Sequence, residues 1–497
     1  MTRPTTLEDS PPGEQTDDIA RLAGRGTIYI TAAKAWFIAS GYAIHFTLPR
    51  LMSAEQYGLY QVVVGVVSII NAVIIAGTYQ TVSKYISQDR SRADSVKVTA
   101  LKMQSILAGC ISIGFIFLSP FIADLLNDPR LVNYLRLGSL ITLCYCFYSV
   151  FTGYFNGLRR FLAQAGIDAA YSTLKLSFVV LFVWLGYGAG GGIAGFALAA
   201  ATALAISIVM ARKTEKRGAV SATQLFKFQA YLLAYTLAIS LLQRVDLMLI
   251  KALSSSDIRI ASENAAYYSA ATNIANITYQ AIVSITLVIF PLVSASTFAE
   301  DIVQTRTYIS RTLRYSLIIM ALSATLFSAN ASEILFVIYP QAYQRGGEVL
   351  PVISVGMLFF GVVYILTTVI SAGGRPKVSL GIGMATLAIS AALNTLLIPM
   401  YGLLGAGLGT TIAMLAGACA CGAYVLFKYG ALIPAASVLR VVAISGVIYL
   451  MSRFITPSTK LLVVVQLAGL GMLYLILLLA SGELRRSELQ ALKRIVR

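Results

Sequence analysis

Leu461-Leu-Val-Val-Val-Gln-Leu-Ala-Gly-Leu-Gly-Met-Leu-Tyr-Leu-Ile-Leu-Leu-Leu-Ala480 is an uninterrupted run without a single charge. An α-helix rises about 1.5 Å per residue, so about 20 residues cross the roughly 30 Å hydrocarbon core of a bilayer. A strand of a membrane barrel would alternate apolar and polar positions over about ten residues. Here Leu461 to Val465 and Leu475 to Ala480 are continuously apolar, so the stretch reads as a membrane-spanning helix. Thirteen more segments read the same way: 26–48, 58–81, 103–126, 131–155, 162–185, 190–211, 228–250, 265–295, 308–329, 348–371, 376–399, 404–427 and 433–453. The fold class is therefore an all-α polytopic integral membrane protein with about 14 transmembrane helices.

Composition agrees with this reading. Of the 497 residues 58% are hydrophobic and 12% charged, with a mean hydropathy of +0.78. A soluble domain carries about a quarter of its residues charged, so a water-soluble enzyme is excluded. The 38 Lys and Arg against 21 Asp and Glu leave a net charge of +17, which in a soluble protein would raise the question of a nucleic-acid partner. In a membrane protein the question is which side the cations occupy. Alternate loops, counted from the N-terminus, hold 27 of them, the intervening loops seven, and the spans four. That asymmetry places both termini in the cytoplasm and assigns most of the charge to topology, with no nucleic acid implied.

The ends of the chain read as tails. Residues 1–25 combine Glu8, Asp9, Glu14, Asp17 and Asp18 with three prolines and no apolar core, the pattern of a disordered cytosolic tail and not of a cleavable signal peptide. Residues 481–497 set Leu484, Leu492, Ile495 and Val496 among five cations, either an amphipathic helix on anionic lipid or a solvated basic tail. Cys110, Cys144, Cys146, Cys419 and Cys421 all fall within spans and read as small packing residues, because Cys-x-Cys on a helix points its sulfurs about 200° apart and forms no chelate. Pro291 and Pro351 lie within spans, where a missing N–H favours a bend.

An internal repeat organises the middle. Tyr187-Gly188, Gly191 and Gly195 recur 214 residues later as Tyr401-Gly402, Gly405 and Gly409. Arg50 to Ser53 is similar to Lys251 to Ser254, Gly58-Leu59-Tyr60 to Ala266-Tyr267-Tyr268, and Gly157 to Arg160 to Gly374 to Lys377. Two pseudo-symmetric six-helix lobes follow, 26–211 and 228–428, joined by a cytosolic linker at 212–227, with two added helices in 429–480. Six helices per copy make the repeat parallel, with an expected cavity between the lobes.

The stretches Leu48 to Tyr60, Val245-Asp246 leading to Ala266 to Ala270, Ala331 to Tyr339, Gly374 to Lys377 and Ile398 to Gly402 carry a family resemblance. The chain resembles the bacterial polysaccharide exporters, or oligosaccharide flippases, of the multidrug/oligosaccharidyl-lipid/polysaccharide flippase superfamily, over Gly26 to Ala480. The resemblance implies a two-lobed bundle that opens alternately inward and outward. It also implies an undecaprenyl-diphosphate-linked oligosaccharide as substrate, flipped across the bacterial cytoplasmic (inner) membrane for surface polysaccharide biosynthesis, with a polysaccharide polymerase and chain-length machinery as possible partners besides the membrane lipids. Spans 13 and 14 favour the lipid-linked-sugar branches over the multidrug branch, which usually has twelve.

A charge at the bilayer centre costs roughly 3 kcal/mol even on a lenient scale, so each such group should face a cavity or a partner. Lys34 and Arg244, one in the first helix of each lobe, suit a passing diphosphate, because ammonium and guanidinium replace phosphate hydration. Lys251 lies seven residues after Arg244 and shares its face. The competing readings are snorkelling for Lys34 and a structural ion pair for Arg244, for example with Asp168. Arg244 and Asp246, two apart on one helix, are expected on nearly opposite sides. His45 joins the Lys34 stripe and has a water-facing alternative. Gln61, Ser68, Asn71 and Thr78 in span 2 and Asn273, Asn276 and Gln280 in span 8 form neutral polar stripes for sugar hydroxyls or for bonds between helices. Asp168 and Asp246 are the candidates for coupling to a proton or sodium ion.

No Gly-x-x-x-x-Gly-Lys-Ser/Thr run is present, and one histidine in the chain makes a metal or haem centre, and hence a cofactor, unexpected. The sequence thus reads as a secondary transporter and not an enzyme. The alternatives are a lipid II or multidrug exporter of the same superfamily and, less favoured because the outer loops are short and poor in carboxylates, a membrane-embedded glycosyltransferase or polymerase.

Overall fold

The computed structural model describes residues 12–211, 221–455, 457 and 459–484. Fifteen α-helices carry the described chain, and no strand occurs among the described residues: α1 (Pro12–Leu51), α2 (Ala54–Gln88), α3 (Ala93–Leu125), α4 (Leu131–Gly157), α5 (Phe161–Phe182), α6 (Gly188–Met210), α7 (Ala222–Leu242), α8 (Val245–Leu253), α9 (Ile258–Phe298), α10 (Ile302–Ala329), α11 (Ala331–Ile338), α12 (Leu350–Ala372), α13 (Pro376–Tyr429), α14 (Ala435–Arg453) and α15 (Lys460–Ala480). Residues 1–11 of the expected N-terminal tail lie outside the described residues, whereas 12–25 belong to α1. Most of the 212–227 linker and residues 485–497 of the C-terminal tail also lie outside them.

Nine helices among the described residues are long and apolar enough to cross a membrane by length and composition. Two of these are continuous runs, Phe161–Met210 and Pro376–Tyr429, of 50 and 54 residues, each more than twice the length one crossing needs. Nearly all of every expected segment falls within helix, but length and composition alone do not reach the count of fourteen.

The two long runs bend at the repeated glycines. Gly188 has φ 54° and ψ −140°, and Gly402 has φ 56° and ψ −129°, a conformation closed to residues with a Cβ. The same backbone break therefore recurs at the spacing read from the sequence. The helix arms then meet backbone to backbone: a Cβ on Gly195 would stand 2.5 Å from the Phe178 carbonyl oxygen, and one on Gly405 2.1 Å from that of Leu397. Between helices in lipid there is little hydrophobic driving force, so such close approach through small residues is what holds them. The turn at Gly374 shifts one match. Its positive φ (80°), two residues before α13, corresponds to Arg159 (φ 58°), two residues before α5, so the structural equivalence is displaced by two from the pairing of Gly157 with Gly374.

Pro351 differs from its expected role. It stands in the first turn of α12, where a helix has no N–H partner to lose, and so introduces no bend. Pro291 lies inside α9, which runs unbroken past it.

The chain divides into two compact units. One comprises the residues up to Leu51, Val66–Ile122 and Pro129–Leu237, the other Met52–Gly65, Ala123–Asp128 and Ala238 onward. In the first, α1 packs on α5, and α6 on α4 and α5. Ile74, Ala108 and Cys146 join α2, α3 and α4 in an apolar cluster, and Thr78 accepts hydrogen bonds from Gln104 and Gln229, which tie α3 and α7 to α2. In the second, α12 is the hub, packed on α9, α10 and α13. A separate cluster joins α10 to α14 and α15 through Leu317, Ile448 and Tyr474. The start of α2 belongs to this unit because Gly58 lets the α9 backbone come close: a Cβ there would be 1.8 Å from the Ser262 carbonyl oxygen. The units thus depart from the 26–211 and 228–428 boundaries at Met52–Gly65, Ala123–Asp128 and α7.

Candidate functional site: a carboxylate in each unit

The seventh apolar segment is two helices. α7 ends at Leu242, Gln243 and Arg244 form a turn, and α8 starts at Val245 with Arg244 as its N-cap. The expectation that Arg244 and Asp246 point to opposite sides assumed one continuous helix, and across this break the 100° step per residue does not apply.

Asp246, in the first turn of α8, is buried with 2% of its surface exposed. Its Oδ1 accepts the Leu247 N–H at 2.8 Å, and the helix N-terminus favours a negative charge there. Its Oδ2 accepts the Tyr268 hydroxyl at 2.6 Å and the Thr410 hydroxyl at 3.3 Å. Thr410 in turn accepts from Asn394 Nδ2 at 3.2 Å, and the same amide nitrogen donates to the Ser390 carbonyl oxygen at 2.8 Å. Asn394 Oδ1 is buried with no hydrogen-bond partner among the described residues. Four elements thus converge: α8, α9 and the two arms of α13 on either side of the Gly402 bend. A buried carboxylate that already accepts two hydroxyls in an apolar bundle is a group that can take up a proton or pair with a hard cation such as sodium.

The first unit holds a second carboxylate. Asp168 on α5 is half-buried, and Tyr148 donates to its Oδ1 at 2.5 Å. Tyr145, Tyr148 and Tyr171 pack as a ring cluster, with the Tyr145 and Tyr171 hydroxyls hydrogen-bonded. Lys34 lies on α1, which packs on the α5 helix that carries Asp168. Lys34 itself is exposed on α1, and His45 on the same helix is half-buried. Lys175 places its ammonium 3.9 Å from the Phe196 ring centre, a cation–π contact.

Lys251 is engaged elsewhere. Its Nζ donates to Asp128 Oδ2 at 2.7 Å, the Ser262 hydroxyl at 2.7 Å and the Ile258 carbonyl oxygen at 3.2 Å, with the side chain wholly buried. In this conformation its ammonium serves the protein itself. The polar stripes divide. Gln61 and Asn273 both donate to the Tyr57 hydroxyl, at 3.0 and 3.4 Å, and Thr78 joins three helices, so these three make bonds within their units. Ser68, Asn276 and Gln280 are half-buried, and Asn71 is buried with Oδ1 unmatched among the described residues.

Tyr268, Thr410, Asn394 and Tyr148 escaped the sequence reading. A signal existed for Asn394, which sits with Ser390 at i, i+4 in the middle of an otherwise apolar run. Tyrosine and threonine give none, because both are ordinary packing residues in such helices.

Residues 23–297 match the model of the family described as polysaccharide biosynthesis protein. The chain belongs to that family. No curated protein matches it by sequence. Among solved structures, this family member is similar to the lipid II flippase MurJ in an inward closed conformation, with a TM-score of 0.74 and 13% identity over 91% of this chain and 97% of that one. An inward-facing multidrug resistance MATE family transporter of the MOP superfamily gives a TM-score of 0.65 and 13% identity over 79% and 94%. A MOP superfamily transporter from Pyrococcus furiosus gives 0.59 and 14% over 82% and 95%. At these identities the likeness shows the fold, one that this chain shares with those transporters. With its apolar helices, it makes this family member a multi-pass membrane protein.

Proposed function

We propose that this polysaccharide biosynthesis family protein is a secondary transporter that flips an undecaprenyl-diphosphate-linked oligosaccharide across the bacterial cytoplasmic membrane by alternating access, both termini lying in the cytoplasm. The observation that carries the reading is the family match across residues 23–297 on a transporter fold. Lys34 and Arg244 are the cations assigned to the diphosphate, and the half-buried polar side chains Ser68, Asn276 and Gln280 to sugar hydroxyls. Asp246 is assigned the coupling ion, a proton or sodium, with Tyr268 and Thr410 holding its carboxylate, and Asp168 is a second candidate.

A second reading, a lipid II flippase, draws support from the extent of the likeness to MurJ. One experiment separates the two. Protein in vesicles is offered a fluorescent lipid-diphosphate oligosaccharide or lipid II, and the fraction reaching the opposite leaflet is followed under imposed proton or sodium gradients. The proposal expects gradient-driven movement of the oligosaccharide, loss of movement in a Lys34→Ala, Arg244→Ala double variant, and loss of the gradient response in Asp246→Asn. Movement of lipid II alone selects the second reading, and movement of neither substrate beyond protein-free vesicles removes both.

A further inference from the structure

α10 carries three arginines within three turns, and two of them are bound to the protein. Arg306 Nε donates to the Tyr429 carbonyl oxygen, the last residue of α13, at 2.5 Å. Arg314 Nε pairs with Glu483 Oε1 at 2.7 Å, just beyond the end of α15. The stretch from Arg306 to Arg314 therefore lies level with the ends of two membrane-spanning helices. The length and apolarity of those spans put the membrane edge near this level, on the face that the loop charges assign to the cytoplasm.

The third, Arg311, makes no hydrogen bond or ion pair among the described residues and is exposed. It lines a groove of about 310 Å³ between α9 and α10. The α9 wall is aliphatic: Ile285, Ile289 and Leu292 follow at i, i+4 and i+7. The α10 wall carries Tyr308, Arg311, Thr312 and Tyr315 on one face, spaced i, i+3, i+4 and i+7. The two helices run antiparallel through the turn at residues 299–301. Leu292 thus stands opposite Tyr308 toward the rim, and Ile285 opposite Tyr315 about 10 Å deeper. Apolar side chains continue the surface around the rim, with Phe290, Phe298 and Val303 exposed.

A guanidinium at the rim beside a threonine hydroxyl, above an aliphatic trough that runs into the membrane, has the chemistry of a phosphodiester with an acyl chain beneath it. We propose that this groove holds an anionic phospholipid of that leaflet as a resident lipid, its phosphate on Arg311 and Thr312 and one acyl chain along Ile285, Ile289 and Leu292. One guanidinium matches the single charge of a phosphodiester. Ile289 belongs to the apolar cluster shared by α9, α10, α12 and α13, and Ile285 and Tyr308 pack against it, so the occupant braces the second unit. This assignment is independent of the flippase reading.

Native mass spectrometry and thermal unfolding of the purified full chain, titrated with phosphatidylglycerol or phosphatidylcholine in detergent, test it. The wild type is expected to retain phosphatidylglycerol and to be stabilised by it, with phosphatidylcholine much weaker. Arg311→Gln should lower apparent phosphatidylglycerol affinity by about tenfold or more, the loss of one charge-assisted contact. Leu292→Trp, which fills the trough from its rim, should weaken both lipids with Arg311 intact. Arg90→Gln, an exposed cation in the other unit, should change nothing. Equal retention of the two lipids by the wild type, unchanged phosphatidylglycerol binding in Arg311→Gln, a comparable loss in Arg90→Gln, or competition by inorganic phosphate as strong as by the lipid would each overturn the proposal.

Discussion

Lys251 Nζ stands 2.7 Å from Asp128 Oδ2, 123 residues away in the chain, and neither side chain is exposed. Beside it the turn at Asn127, with φ 52°, directs its side-chain amide to the Ala252 carbonyl oxygen at 2.8 Å. The six residues Ala123–Asp128, which include both of these partners, fall in the second unit. Removing one member of a buried pair strands the other charge, at a cost of about 3–5 kcal/mol, while replacing both by apolar residues is often close to neutral. Asp128→Ala should therefore unfold at clearly lower temperature in detergent, and Lys251→Met with Asp128→Leu should recover most of the loss. A single variant as stable as the wild type would contradict the pair's role.

The bend at Gly402 is predicted to reject any side chain. Its φ of 56° with ψ −129° strains a residue bearing a Cβ by about 1–3 kcal/mol, so Gly402→Ala and Gly188→Ala should lose similar amounts of stability. Gly405→Ala should lose more, because its Cβ would meet the Leu397 carbonyl oxygen of the other arm. Gly114→Ala, inside α3 with open space around its Cα, should be neutral or stabilising by up to about 1 kcal/mol. Thermal unfolding of the four variants gives the ranking.

At Asp246 the two hydroxyl contacts differ in length, and their removal should differ in effect. Tyr268→Phe takes away a 2.6 Å bond to a buried carboxylate, which costs about 1.5–3 kcal/mol. Thr410→Val removes one of 3.3 Å and should be milder. Unfolding midpoints that reverse this order would show that Thr410, not Tyr268, is the principal partner of Asp246.

Glu483 is almost wholly buried just past α15. Burial alone would raise its pKa. Hydrogen bonds from Ser437, Arg314 and Arg440 and the charge of Arg314 outweigh that and hold it below the ordinary glutamate value. A carboxylate depressed on folding contributes stability that is fully present above its unfolded pKa and is lost as the pH falls through the folded one. The tether of α15 to α10 and α14 should therefore hold at neutral pH and weaken only below about pH 4. Glu483→Gln should be less stable than the wild type at neutral pH, with the difference closing on acidification. A difference that stays constant with pH would assign the effect to packing.

The helices were legible because a bilayer demands about twenty apolar residues per crossing, and Leu461 to Ala480 meets that demand with no tertiary information. The repeated Tyr-Gly was legible for a related reason, since a backbone that turns where no Cβ fits must place glycine there. Asp246 was legible as an expensive intramembrane charge. Its partners were not, because Tyr268 and Thr410 lie 22 and 164 residues away and carry no mark distinguishing them from other tyrosines and threonines. Lys251 shows the same limit: cost identifies a buried cation but not whether substrate or protein answers it.

By itself the sequence determined that the chain is a helical membrane protein, that its middle is a repeat, and which few charges are costly enough to need a reason. Those properties follow from local composition and from spacing along one helix. Only the tertiary structure decided that span 7 breaks at Arg244, that Asp246 gathers hydroxyls from α9 and α13, and that Lys251 answers Asp128 while Arg311 faces a groove. A hydrogen bond needs its partners within about 3 Å in space, and folding alone brings together residues so far apart in the chain.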